Sequence, residues 1–238
     1  MDEFFGVSSS ERAKEVYSKI EGTKFSDSFR LGPYNTNSLL TDPKHIGFLF
    51  ARHKFVAKML QGLGAVLEIG CQEGLGSMIV AQAVGRLVAT DFHRPHIESC
   101  LDRLGNVVTN IEFRGHDIID GPIKESFDGA FSLDVLEHID PSQEERFMTH
   151  VAASLTEYGV FVLGTPSLES QRYASPASKV GHINCKSGEE LRALCKCFFH
   201  NVFMFGMNDE VVHTGFLPMA HYLIALCVHP KKENGLCM

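Results

Sequence analysis

Along the 238 residues, apolar positions recur with two different spacings, and the switch between them divides the chain. Up to about Leu63 the spacing is helical. Ser9 to Ile20 reads as an amphipathic helix, and FRLGPYNTNSLLTD (residues 29–42) reads as a loop with Gly32-Pro33 as a turn marker. Asp42 supplies an N-cap and Pro43 the first position of a helix running to about Leu60. After that, short apolar runs alternate with helical segments. AVLEIG is a buried strand, CQEGLGS a glycine-bearing turn and MIVAQAVG a helix of small residues. RLVATD is a second strand ending in an acid, and PHIESCLDRL a helix. IEFRGHD is a third strand ending in an acid, and FDGAFSLD a fourth. QEERFMTHVAASL is a helix, and GVFVLGTP the fifth strand. The runs HNVFMFGM and HYLIALCV are joined by a polar loop too short for an ordinary helix, which predicts an antiparallel pair at the sheet edge.

Strands that alternate with helices of this length require right-handed crossovers, hence an α/β fold with a parallel sheet and helices on both faces. Composition adds exclusions. A hydrophobic content of 44% with 21% charged residues is that of a globular chain. The N-terminus is acidic and lacks an apolar core of signal-peptide length, and no stretch reaches the roughly 18 apolar residues of a membrane span. The expectation is a cytoplasmic protein with no membrane partner. Seven cysteines, scattered without repeated C-x-x-C pairs, offer no zinc spacing. A formal charge of −7 without a Lys/Arg run speaks against nucleic acid and for a small-molecule ligand.

A strand, a glycine turn, a helix and an acid ending the next strand make a nucleoside-binding unit, in which Asp91 is placed to reach ribose hydroxyls. The turn EIGCQEGLGS misses the dinucleotide spacing G-x-G-x-x-G. It resembles instead the first motif, (D/E)-x-G-x-G-x-G, of class I S-adenosylmethionine-dependent methyltransferases, with Glu68, Gly70 and Gly74 on pattern and Gln72 in place of the middle glycine. The resemblance extends over about residues 64 to 230, with Asp91, Asp117, FDGAFSLDVLEHI and GVFVLGTPS falling in the family's order. It implies a Rossmann-like, doubly wound, seven-stranded sheet, mostly parallel with an antiparallel last strand, behind an N-terminal helical lid. The segments would be a lid at 1–63, an S-adenosylmethionine-binding domain at 64–232 and a polar tail at 233–238. It further implies that Glu68, Gly70, Gly74 and Leu133 line the donor site, Asp91 holds the ribose with Phe92 beside the adenine, and Asp117 and the Ile118 N–H meet the adenine edge. Tyr34 would close over the donor, and Arg52 would either reach its carboxylate or sit on a solvated helix face.

The stretch SLDVLEHID raises a separate question, because Asp134, Glu137 and His138 fall where the fourth strand ends, and ligands of open parallel sheets bind outside the carboxyl ends of strands. A hydroxyl acceptor needs a base or a metal. DVLEH resembles the E-x-x-E-H segment of ubiquinone-biosynthesis and small-RNA 2′-O-methyltransferases, where such residues hold a divalent ion, and His182 in KVGHINCKS stands where the RNA enzymes supply a further histidine. That resemblance implies a site of Asp134, Glu137, His138 and His182 for Mg²⁺, Mn²⁺ or Zn²⁺. The alternative makes His138 or His182 a general base without metal. The expected activity is O-methylation of a small hydroxylated metabolite, a sugar or other diol. The rivals are N- or C-methylation without metal, and a non-catalytic S-adenosylmethionine-binding regulator. His213 and His221 flank a loop, TGFLPMA, that could cover the cleft.

Overall fold

A computed structural model describes residues 9–21 and 28–231, so the 233–238 tail lies outside the described residues. Contacts divide the chain into two units, 1–30 and 31–238. The first contains helix α1 (Ser9–Glu21), as its periodicity predicts.

The second unit holds everything else. Two helices come first, α2 (Pro33–Thr41) and α3 (Lys44–Met59). The strands are β1 (Ala65–Ile69), β2 (Arg86–Asp91), β3 (Ile111–Gly115), β4 (Phe127–Leu133), β5 (Leu155–Pro166), β6 (Phe199–Asn208), β7 (Val211–His213) and β8 (Tyr222–Pro230). Between them lie α4 (Ser77–Ala81), α5 (Arg94–Leu104), α6 (Glu144–Ala153), α7 (Pro176–Gly181) and α8 (Gly188–Phe198). They form one sheet in the order β3-β2-β1-β4-β5-β8-β6-β7. The first five are parallel, and β8 runs antiparallel to both β5 and β6.

Period-two alternation sorts the core onto the two faces. Leu67, Ala130, Phe161 and Leu163 pack with α6 and α8, whereas their neighbours Val66, Phe131 and Val162 pack with α3 and α4. Phe131 and Phe161 are fully buried, each contributing about 2–3 kcal/mol of apolar transfer.

The last two long strands form the expected antiparallel pair at one end of the sheet, with β8 inside, between β5 and β6, where its near-continuous apolar run has partners on both sides. Two sequence expectations need correction. The sheet has eight strands, the additional one being the three-residue β7, which pairs with β6 and is too short to leave a period. Residues 33–41 form α2 instead of a loop, and Asp42 closes that helix, while no side chain caps α3.

The reason α2 forms lies far along the chain. The Glu73 carboxylate accepts the N–H groups of Tyr34 and Asn35, both at 2.9 Å, and the Asn35 side-chain amide at 2.7 Å. A distant acid thus does the capping that local sequence does not. Gly32 permits it, since a Cβ there would overlap the Glu73 carboxyl group.

Candidate active site

The turn after β1 is built from left-handed backbone. Gly70 and Gly74 have φ of +83° and +70°, and Gln72, where the motif's middle glycine would stand, adopts φ +48°. The departure in sequence therefore keeps the glycine's conformation, at the cost of a less favourable residue in the left-handed region. Asp91 pins the turn at the end of β2. One of its carboxylate oxygens accepts the Gln72 N–H at 2.9 Å and the other the His93 N–H at 2.8 Å.

Two cavities open at this end of the sheet. One, of about 470 Å³, is lined by Gly70, Asp91, Phe92, Asp117 and Ile118, together with Tyr34 and His96. Phe92 is 75% exposed, which excludes a core role for it. Asp117 accepts the Ile119 N–H at 2.9 Å, so the acid also caps its own turn. The other cavity, of about 570 Å³, takes Glu68, Leu133, His45, Tyr173 and His221 into its walls. The two share Gly70, Gln72, Asp134 and His138, the place where their contents would meet.

Gly74 lines neither cavity. A Cβ there would come within 2.9 Å of Leu104 and Phe113, so its smallness serves the packing of the turn against α5 and β3. Glu68 and Leu133 belong to the second cavity and not to the first. The Glu68 carboxylate stands 3.7 Å from His53 Nε2, with its other oxygen buried and unpartnered. His213 lies in the β7 hairpin, where its Nδ1 accepts the Gly215 N–H at 3.1 Å, away from the cavity that His221 lines.

On the wall of the second cavity, one ligand-capable atom from each of Glu137, His138 and His182 lies within 4.8 Å of the others, and His138 also faces the first cavity. Asp134, the fourth residue of the expected set, is outside that group. Its carboxylate accepts two contacts from the Arg52 guanidinium, at 2.9 and 2.8 Å. Arg52 is therefore not on a solvated face. Its guanidinium stacks 3.8 Å from the centre of the Tyr222 ring, and although burial opposes its charge, Asp134 beside it holds its pKa above the ordinary value. Burial, and then the Asp134 charge, push the Tyr222 phenol well up, so that it stays neutral.

The three clustered residues are held from several elements. Glu137 is 1% exposed, one oxygen accepts the Thr165 hydroxyl at 3.1 Å, and the other has no partner. Burial, and then Asp134, raise its carboxyl to about 8. Its backbone carbonyl accepts the N–H groups of Ile183 and Asn184, at 2.8 and 3.0 Å, which ties the His182 segment to the end of β4. His138 Nδ1 donates to the Gly181 carbonyl at 2.8 Å, and His182 Nδ1 donates to Gln171 Oε1 at 2.9 Å. In both rings it is thus Nδ1 that these bonds occupy, and Nε2 is the nitrogen they leave over. Desolvation, and then His138, lower the pKa of His182, favouring a neutral ring.

Glu73, Thr165, Gln171 and Tyr222 are contributors that the sequence did not single out. Each acts through a contact 11 or more positions away, and local spacing carries no signal for such contacts.

The Arg52–Asp134 pair gives an asymmetric expectation. The Arg52 side chain is 16% exposed and that of Asp134 is 42% exposed. Asp134→Asn strands a buried guanidinium, whereas Arg52→Met leaves a carboxylate that water can reach. The first should cost about 2–3 kcal/mol and the second about 1–2 kcal/mol. Asn keeps the left-handed backbone of Asp134, at φ +57°, affordable in both states. Urea unfolding of both variants measures the difference, and equal costs would show that the pair is solvated.

Comparison with known proteins bears on the same region. Residues 66–159 match the family model described as a methyltransferase domain. A probable S-adenosylmethionine-dependent methyltransferase of Mycolicibacterium smegmatis is 27% identical over 124 residues, which are 50% of this chain and 46% of that protein. The chain thus matches about half the length of that curated relative. Among solved structures, the N-methyltransferase NodS of Bradyrhizobium japonicum with S-adenosyl-L-homocysteine aligns with a TM-score of 0.61 at 19% identity, covering 90% of this chain and 98% of that one. The methyltransferase domain of bacterial CtHen1-C aligns with a TM-score of 0.62 at 14% identity, covering 76% and 98%. At these identities, the structures establish the shared fold.

Proposed function

We propose, from the premise that the chain belongs to the class I S-adenosylmethionine-dependent methyltransferase superfamily, that it methylates a hydroxyl oxygen of a small vicinal diol, a sugar or other polyol. S-adenosylmethionine supplies a methyl group that is already activated, so the chain's own work is to bind, orient and deprotonate. Asp91 would hold the ribose hydroxyls with the lone pairs its two backbone contacts leave. Phe92 and Ile118 would flank the base, and Asp117 would accept from its amino group. The first cavity, at about 470 Å³, has room for a nucleoside, and its exposed aromatic and buried acid suit one.

The observation that carries the hydroxyl reading is the cluster of Glu137, His138 and His182 on the wall of the second cavity, of which His138 also faces the first. A buried carboxylate with an unpartnered oxygen, beside two imidazoles whose Nδ1 atoms are already committed, is a donor set that fits a divalent ion. Mg²⁺, Mn²⁺ or Zn²⁺ held there would lower the pKa of an acceptor hydroxyl and fix the two oxygens of a diol. Asp134, paired with Arg52, would shape the wall without ligating.

A metal-free second reading has support in the lowered pKa of His182, which suits a general base. Chelation separates the two. Transfer to a diol acceptor is expected to stop when EDTA is added and to resume with Mn²⁺ or Mg²⁺, while calorimetry finds S-adenosylhomocysteine affinity unchanged by the chelator. Turnover that resists chelation, with His182→Ala partly rescued at higher pH, would replace the ion by the base. Transfer to amine or carbon acceptors, or binding without any turnover, would overturn the hydroxyl assignment itself.

A further inference from the structure

We infer that Gln171 is a positioning residue that fixes the ring tautomer of His182 and so presents its Nε2 lone pair to the cluster. The argument starts from an atom that can only accept. The Ser167 carbonyl oxygen lies 3.2 Å from one terminal atom of the Gln171 amide. A carbonyl cannot donate, so the atom facing it is the NH₂ group; the opposite amide orientation would set two oxygens against each other. The same NH₂ lies 3.4 Å from the Ser170 hydroxyl, which itself donates to the Ser167 carbonyl at 2.8 Å.

The Gln171 oxygen therefore points the other way, 2.9 Å from His182 Nδ1. Only an Nδ1–H can satisfy it, which leaves Nε2 without a proton on the neutral ring. The relay is anchored rather than free to turn over. Ser167 donates its hydroxyl to the Ala220 carbonyl at 2.6 Å, and its N–H bonds the His221 carbonyl at 3.0 Å, locking the segment to the start of β8. His138 has the same arrangement with a simpler partner, since its Nδ1 donates to the Gly181 carbonyl, which has no alternative orientation. His182 depends on a side chain, and a side chain can be replaced.

The consequence for ligation rests on the divalent-ion reading proposed above; the tautomer rests on hydrogen bonding alone. Nitrogen-15 spectra of the metal-free, full-length protein labelled at histidine read the tautomer directly. His182 is expected as the Nδ1–H form in the wild type and as a mixture in Gln171→Leu, whose side chain offers no acceptor. Titration with Zn²⁺ alone is expected to show affinity reduced by about 10- to 100-fold in Gln171→Leu. A wild-type His182 found as Nε2–H, or a tautomer population that Gln171→Leu leaves unchanged, would overturn the inference. Wild-type protein that shows the expected tautomer and its loss in Gln171→Leu, yet does not bind Zn²⁺, would uphold the role of Gln171 and remove the ion from the proposed function.

Discussion

Glu137→Gln is expected to remove divalent-ion affinity and hydroxyl methylation together, while making the metal-free protein more resistant to heat at alkaline pH. Loss of function by a stabilising change is unusual, and it follows from where the carboxyl group sits. Glu137 is almost fully buried with one oxygen unpartnered, and burial, followed by the Asp134 charge, raises its carboxyl to about 8 from a usual 4.5. Between those values the folded protein keeps a proton that the unfolded chain has released. The stabilisation is complete below the unfolded value and is lost as pH rises through about 8.

Gln cannot ionise, so it does not suffer that loss. In the presence of chelator, the Tm of Glu137→Gln should match the wild type near pH 4.5, where both side chains are neutral. It should then exceed the wild type by a growing margin, reaching about 5 °C or more above pH 8. Saturating Mn²⁺ should reverse the order, since an ion that binds the folded wild type alone stabilises it alone. Calorimetric melts at several pH values, with and without the ion, give the whole pattern. A variant that melts below the metal-free wild type at pH 8.5 would show that the carboxyl is not the destabilised group described.

The second large effect belongs to Asp91→Ala, for which S-adenosylhomocysteine affinity is expected to fall by about 100-fold or more. Each carboxylate oxygen has two acceptor positions, and the N–H groups of Gln72 and His93 take one apiece. One position per oxygen remains for the two hydroxyls of a ribose. Hydrogen bonds to a charged group contribute about 1.5–3 kcal/mol each, so the loss of two accounts for the fall without counting the released turn. Asp117→Ala should do less, because one adenine contact would be lost while the Ile118 backbone stays. Asp91→Asn should fall between wild type and Asp91→Ala, since it keeps one acceptor oxygen and gives up the charge. Titration calorimetry ranks the three, and an Asp91→Ala protein that binds like the wild type would disprove the ribose assignment.

What could be read from the sequence was what depends on neighbours along the chain. The glycine turn, the acids at the end of β2 and just after β3, and the alternation of strands and helices are local patterns, and they led to the parallel sheet, its antiparallel last strand and the resemblance to methyltransferases. What could not be read depends on partners far away in sequence. α2 looked like a loop because its cap, Glu73, lies 38 and 39 positions from the amides it accepts. The pairing of Asp134 with Arg52 could not be foreseen, because nothing near Asp134 in the sequence reveals a partner 82 positions earlier. The His138–His182 pairing was anticipated from resemblance, but the roles of Gln171 and Gly181 in orienting the rings depend on a folded loop that has no spacing of its own.

The Glu73 cap also constrains how this chain can diverge. The acid belongs to the glycine turn and the amides it serves belong to α2, so a lineage that shed the helix would inherit a buried carboxylate with three donors missing. One that kept the helix but gained any Cβ at residue 32 would push the carboxylate from its seat. Neither residue can drift alone without a penalty that the other must relieve. Residues 32 and 73 are therefore coupled, and α2, although another helix separates it from β1, starts on an acid that the glycine turn supplies.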